Sequence, residues 1–260
     1  MKSKLFTKDA FIQVIVHKLL PIVILLSVWE IGARLYNKPY FLPGFFETLE
    51  ALIRIIGDDN FFKIIFLTLL RVLTGIAIGT LTAALFAILS YKFSFLHSLI
   101  SPLNSVIKAT PVASIIILLW VSMNGNSLAI FVSFMMVFPI IWQNIYDAFS
   151  SIDKELIEVS RVFGFSIRKK FELLILPSLK KFFIPAFITA IGLAFKAEIA
   201  AEIIAGVRNS IGQMIYYAKD APKIDEMFAW TIVGVFFSML IEWISRKVLM
   251  PKAKLKGDAL

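Results

Sequence analysis

Three ionisable residues, Lys196, Glu198 and Glu202, sit inside an otherwise apolar run of the chain. Glu198 and Glu202 are one helical turn apart and share a face. Lys196 points roughly 200° away from Glu198, so the three do not pair within one helix. Charged groups in hydrocarbon are expensive and call for an interior partner, a water-filled cavity or a functional role. Two readings stand for them. Either they line a path for a charged solute, with Lys196 attracting an anion, or they bond other helices or a dimer partner. No other grouping suggests a reactive centre. The chain has no cysteine, which excludes disulfides, thiol catalysis and thiolate metal ligation. His17 and His97 are isolated, lack metal-ligand spacing and are expected at the surface near the inner interface. There is no Ser/His/Asp set, and no Gly-x4-Gly-Lys-Ser/Thr phosphate loop.

The surroundings of those residues decide the class of molecule. Of 260 residues, 59% are hydrophobic and 17% charged, with a mean hydropathy of +0.84. A soluble domain carries about a quarter of its residues charged. Here the apolar residues form blocks of about 20, the length a helix needs to cross about 30 Å of hydrocarbon. Trp and Tyr lie mostly near the block ends, where amphipathic rings favour the headgroups. The pattern predicts an all-α, polytopic membrane protein with six spans, near 19–35, 64–90, 106–121, 128–148, 184–205 and 227–249. Pro111 falls near the start of the third, Pro139 is expected to kink the fourth, and Pro185 lies in the fifth. No internal repeat appears, so one membrane domain over 19–249 is expected, between a cytoplasmic segment 1–18 and a cytoplasmic tail 250–260. Lys2, Lys4 and Lys8 look like a signal n-region, but no small-x-small pattern follows the first block, which reads as an uncleaved span.

Orientation follows from Lys and Arg in the connecting segments. With the N-terminus in the cytoplasm, cytoplasmic segments hold 18 and external ones six. That bias puts both termini inside, and it accounts for the net charge of +9 without a nucleic-acid partner. Arg71, in the second span, is expected to snorkel outward. The same span carries Gly75, Gly79, Ala83 and Ala87 on one face, which suits close helix packing or, alternatively, a pore lining. The segment 39–57 reads as an external amphipathic element on the membrane surface.

The loop 150–183 joins spans four and five on the cytoplasmic side. Ile152, Leu156, Val159 and Phe163 form one apolar stripe at helical spacing. Asp153 suits the N-cap, and Glu155 and Glu158 suit the positive end of the helix dipole. Gly164 permits a backbone reversal, a second helix follows from about Ser166, and Pro177 is expected to limit it. The stripe requires cover, from the protein's own membrane domain or from another subunit.

Glu158-Val159-Ser160, then Gly164, then Leu174-x-Leu176-Pro177 resemble the EAA loop of binding-protein-dependent ABC importer permeases. The family pattern is Glu-Ala-Ala, three residues, Gly, nine residues, Ile-x-Leu-Pro, and each spacing matches. Val159, Ser160 and Leu174 depart from it conservatively. Four further stretches are similar to the nitrate/sulfonate/taurine branch of that family: Trp29-Glu30-Ile31-Gly32-Ala33-Arg34, Phe41-Leu42-Pro43, Thr68-Leu69-Leu70-Arg71-Val72 and Gly192 to Glu198. The resemblance implies a type I, MetI-like permease that works as a homodimer in the inner membrane. It implies two cytoplasmic ATPase subunits and an external solute-binding protein. It also implies an ATPase-coupling role for Glu158, Val159, Ser160, Phe163, Gly164, Leu174, Leu176 and Pro177. ATP and Mg would be bound by the partner, so no cofactor is expected in this chain and the chain is not an enzyme. The implied cargo is a small anion such as a sulfonate, nitrate or bicarbonate, with a vitamin precursor or other small solute as the alternative. A secondary transporter or a membrane scaffold are the readings from other classes. Inverted repeats or broken mid-span helices would favour the first of these.

Overall fold

The computed structural model describes residues 19–38 and 40–250, and every regular element among them is helical. Expectations for segment 1–18, His17, Pro39 and the tail beyond Met250 lie outside the described residues. The elements are α1 (Leu20–Tyr36), α2 (Phe45–Ile56), α3 (Phe61–Lys92), α4 (Ser94–Ala109), α5 (Val112–Trp120), α6 (Gly125–Ser150), α7 (Lys154–Val162) and α8 (Ile167–Lys170). A π-helical segment (Phe171–Ile175), α9 (Leu176–Ala205), α10 (Ile211–Asp220) and α11 (Ile224–Leu249) complete the chain. Two compact units divide it, Met1–Phe61 with Met214–Ile232, and Phe62–Gln213 with Val233–Leu260.

Four helical runs are long and apolar enough to cross a membrane: α3, α6, the run Ile167–Ala205, and α11. The expected third span is instead two helices, α4 and α5, bent by 98°, and they make a fifth crossing only if counted together. The residue before a proline is pushed out of the α region, so Thr110 is extended (ψ 129°) and Pro111 becomes the N-cap of α5. At 17 residues, α1 reaches about 26 Å, slightly less than the hydrocarbon core. Pro177 does not limit a helix. It falls in the first turn of α9, where a missing N–H is tolerated, and the preceding π segment carries the helix past it into one 39-residue run.

In the unit of Phe62–Gln213 and Val233–Leu260, α9 packs along α6 more extensively than any other pair of elements. The core joins Val72 and Ile76 of α3 to Ile141 and Trp142 of α6 and to Ile191 and Phe195 of α9. The small-residue face of α3 serves this packing. A Cβ on Gly75 would stand 2.4 Å from Ser133 Cβ and 2.6 Å from the Ile130 carbonyl oxygen, and one on Gly79 would stand 3.0 Å from Val137 Cβ. Ala83 and Ala87 are fully buried. Helix α6 runs through Pro139, whose carbonyl accepts from Asn104 Nδ2 at 3.2 Å. His97 is not a surface residue: it is half-buried and stacks on Tyr146, ring centroids 4.2 Å apart.

In the unit of Met1–Phe61 and Met214–Ile232, α2 is the expected amphipathic helix, held to the end of α1 by one junction. Glu30 Oε2 accepts from Phe45 N at 2.8 Å, Glu30 Oε1 from Arg34 Nε at 2.6 Å, and Trp29 Nε1 donates to the Pro43 carbonyl at 3.0 Å. A Cβ on Gly44 would come within 2.8 Å of Glu30 Oε2. Arg54 and Asp225 form an ion pair that ties α2 to α11 within this unit.

Candidate coupling loop and buried charge cluster

Helix α7 begins at Asp153, whose side chain accepts from Glu155 N at 2.8 Å. It ends in a Schellman turn: Phe165 N donates to the Ser160 carbonyl at 2.9 Å and Gly164 N to the Arg161 carbonyl at 3.1 Å. Gly164 has φ +62°, a conformation that a residue with a β-carbon resists. Ser166 then caps α8 by accepting from Lys169 N. The buried Ser160 hydroxyl donates to the Ile157 carbonyl at 2.6 Å, so a small side chain sits where α7 meets its own protein.

The other loop residues divide by exposure. Glu158 and Val159 are exposed, Phe163 is 72% exposed, and Val162 and Ile167 are 83% and 89% exposed. Leu174 and Leu176 are half-buried beside the π segment, and Pro177 is exposed. The apolar stripe is therefore only partly covered by the chain's own helices, least of all at Phe163. The result is a rigid two-helix knuckle presenting bare apolar side chains, with Arg168 paired to Glu172 beside it at 2.8 Å.

The residues expected in the membrane separate sharply. Lys196 is exposed on the outer face of α9, while Glu198 and Glu202 are fully buried on the other. Glu202 Oε1 accepts from Arg71 Nη1 at 2.7 Å and from Thr68 Oγ1 at 2.8 Å, and its Oε2 accepts from Gly212 N at 3.0 Å. Arg71 Nε donates to Asn126 Oδ1 at 3.0 Å, and its Nη2 to the carbonyls of Arg208 and Asn209 at 3.1 and 3.3 Å. Arg71 is thus an interior cation, not a snorkelling one, because a carboxylate and three oxygens surround it in place of water. Gly212 is needed for this approach, since a Cβ there would lie 2.4 Å from Glu202 Cβ. Both carboxylate oxygens of Glu198 are buried without a hydrogen-bond partner among the described residues.

Thr68, Asn126 and Gly212 were not singled out from sequence as partners of Glu202 or Arg71. The available signal was Arg71 itself: an arginine in an apolar span implies an acid elsewhere in the bundle. Among the described residues no group of His, Asp and Glu could hold a metal ion.

Residues 75–248 match the family model for binding-protein-dependent transport system inner membrane components. The chain belongs to that family. The permease is 28% identical, over 80% of its length and 86% of the relative, to a probable ABC transporter permease protein of Brucella melitensis. It is 26% identical to the formylaminopyrimidine transport permease protein ThiX of Halalkalibacterium halodurans, over 89% of this chain and 94% of that one. It is 21% identical to a protein of Bacillus subtilis named as an aliphatic sulfonates transport permease, SsuC, over 92% and 88% of the two chains. The family is one of transport permeases, and the matched residues include the knuckle, the Glu198–Glu202 turn and most of α11.

Proposed function

We propose that this permease forms the solute pathway of an ABC importer and is driven by a separate ATPase that grips residues 153–177. The bare apolar surface of Val162, Phe163 and Ile167, held rigid by the Gly164 turn, carries the reading. An exposed apolar patch on a short, capped protrusion fits a docking surface for another subunit. The working unit is a homodimer with six spans per copy, both termini in the cytoplasm, two ATP-binding subunits below and a solute-binding protein outside. ATP and Mg belong to those partners, and lipid covers the apolar outer faces of the bundle. ATP binding closes the ATPases, the knuckles move with them, and the bundle rocks between inward and outward openings. The cargo is a small anion: Lys196 on the outward face of α9 suits a negative charge, and one relative is named for sulfonates. A relative named for formylaminopyrimidine supports a vitamin precursor or other small solute as the second reading.

The test is Gly164→Asp in cells that carry the whole transporter. The variant is expected to insert normally while uptake is lost and ATP hydrolysis no longer responds to solute. Unchanged uptake would remove the coupling role.

A further inference from the structure

Beside the Arg71–Glu202 pair lies an open cavity of about 350 Å³, at the small end of the range for ligand pockets. Its polar lining comes from Arg71, Thr74, Asn126, Arg208 and Asn209, and no carboxylate lines it. Its remaining wall is Leu67, Leu70 and Ile130.

The charges are arranged unequally around this space. Glu202 neutralises Arg71 from behind, through Nη1, and lies outside the cavity. Arg71 has five N–H groups, and Asn126, Glu202, Arg208 and Asn209 take four, which leaves one Nη1 hydrogen uncommitted. Arg208 is exposed, and its side chain makes no ion pair among the described residues. Asn126 Oδ1 is occupied by Arg71, so the amide nitrogen is the end of Asn126 left to donate. Asn209 is held in the left-handed region (φ +50°) with its N–H bonded to Gln213 Oε1 at 2.7 Å, which fixes the rim. The cavity lining therefore combines an uncompensated cation and amide donors with short aliphatic side chains.

We infer that this cavity is a solute-binding site of the permease for a small organic anion, its sulfonate or carboxylate head between Arg208, Asn126 and Arg71 and its short apolar tail against Leu70 and Ile130. The inference rests on the importer reading above and adds to it where the solute is held and what chemistry holds it. Inorganic anions would leave the aliphatic wall unfilled, and cations would meet two arginines.

Because the chain has no cysteine, Thr74→Cys places a single thiol on the cavity wall. The full-length permease, reconstituted in zwitterionic lipid, is labelled with impermeant methanethiosulfonates carrying either a sulfonate or a trimethylammonium group. The anionic reagent is expected to react about tenfold faster, and the ratio to fall towards one with Arg208→Gln and return with Arg208→Lys. Propanesulfonate is expected to slow the labelling, and butanol and butylammonium to leave it unchanged. Equal rates for the two reagents, or no protection by propanesulfonate, would overturn the site. Equal protection by added phosphatidylglycerol would assign the cavity to a lipid headgroup and overturn the solute occupant. Gly164→Asp separates the two levels of argument: it is expected to abolish uptake and leave propanesulfonate protection intact. Protection without any effect of Gly164→Asp on uptake would keep the site and remove the importer reading.

Discussion

Arg71 and Glu202 stand 131 residues apart in the chain and meet at 2.7 Å between Nη1 and Oε1, with Glu202 fully buried and Arg71 nearly so. The pair locks α3 to α9, and Thr68 and the Gly212 N–H complete the coordination of the carboxylate. Removing one partner of such a pair leaves a buried charge with nothing to balance it.

Arg71→Met and Glu202→Met are each expected to destabilise the protein by about 3 kcal/mol, the usual result of orphaning a buried charge. The double variant Arg71→Met with Glu202→Met is expected to recover most of that loss. A double-mutant cycle on thermal unfolding in detergent measures it, and additive losses would mean that the pair is not coupled.

Gly75→Ala is expected to cost about 1–3 kcal/mol, because the new methyl would overlap Ser133 and the Ile130 carbonyl. Gly32 has open space around its position, so Gly32→Ala is expected to be neutral or slightly stabilising. Comparing the two by melting temperature separates helix contact from general intolerance of change at glycine.

Lys196→Met is expected to fold normally, since the side chain is exposed on α9. If Lys196 lines the pathway, uptake of an anionic solute falls about tenfold with the loss of one attracting charge. Unchanged rate and unchanged solute preference would place Lys196 outside the pathway.

Val162→Asp and Ile167→Asp put charge on the exposed knuckle without touching its caps or the Ser160 contact. Both are expected to insert at wild-type levels and to release the ATPase on purification through the permease. A cysteine at Ile167 should react with an impermeant thiol reagent only from the cytoplasmic side. Labelling from outside intact cells would reverse the proposed orientation.

The apolar helices and the knuckle were readable in the chain because both depend on neighbours in sequence. A run of about 20 apolar residues requires a crossing wherever its partners lie. Asp153, Gly164 and Ser166 act through hydrogen bonds and dihedrals within a few residues of themselves. The break at Thr110–Pro111 was local too, set by the restriction that a proline puts on the residue before it, yet the span expected over 106–121 ran straight through the 98° bend. The left-handed Asn209 and the cavity beside Arg71 depend on the assembled bundle. Arg71 in an apolar helix requires a counter-charge, yet sequence alone does not distinguish Glu198 from Glu202, one turn apart on the same face. Packing decided between them: the Gly212 N–H and Thr68 reach Glu202, and Glu198 is left without a hydrogen bond among the described residues. Burial can demand a partner from one residue, but only the placement of the helices in space selects it.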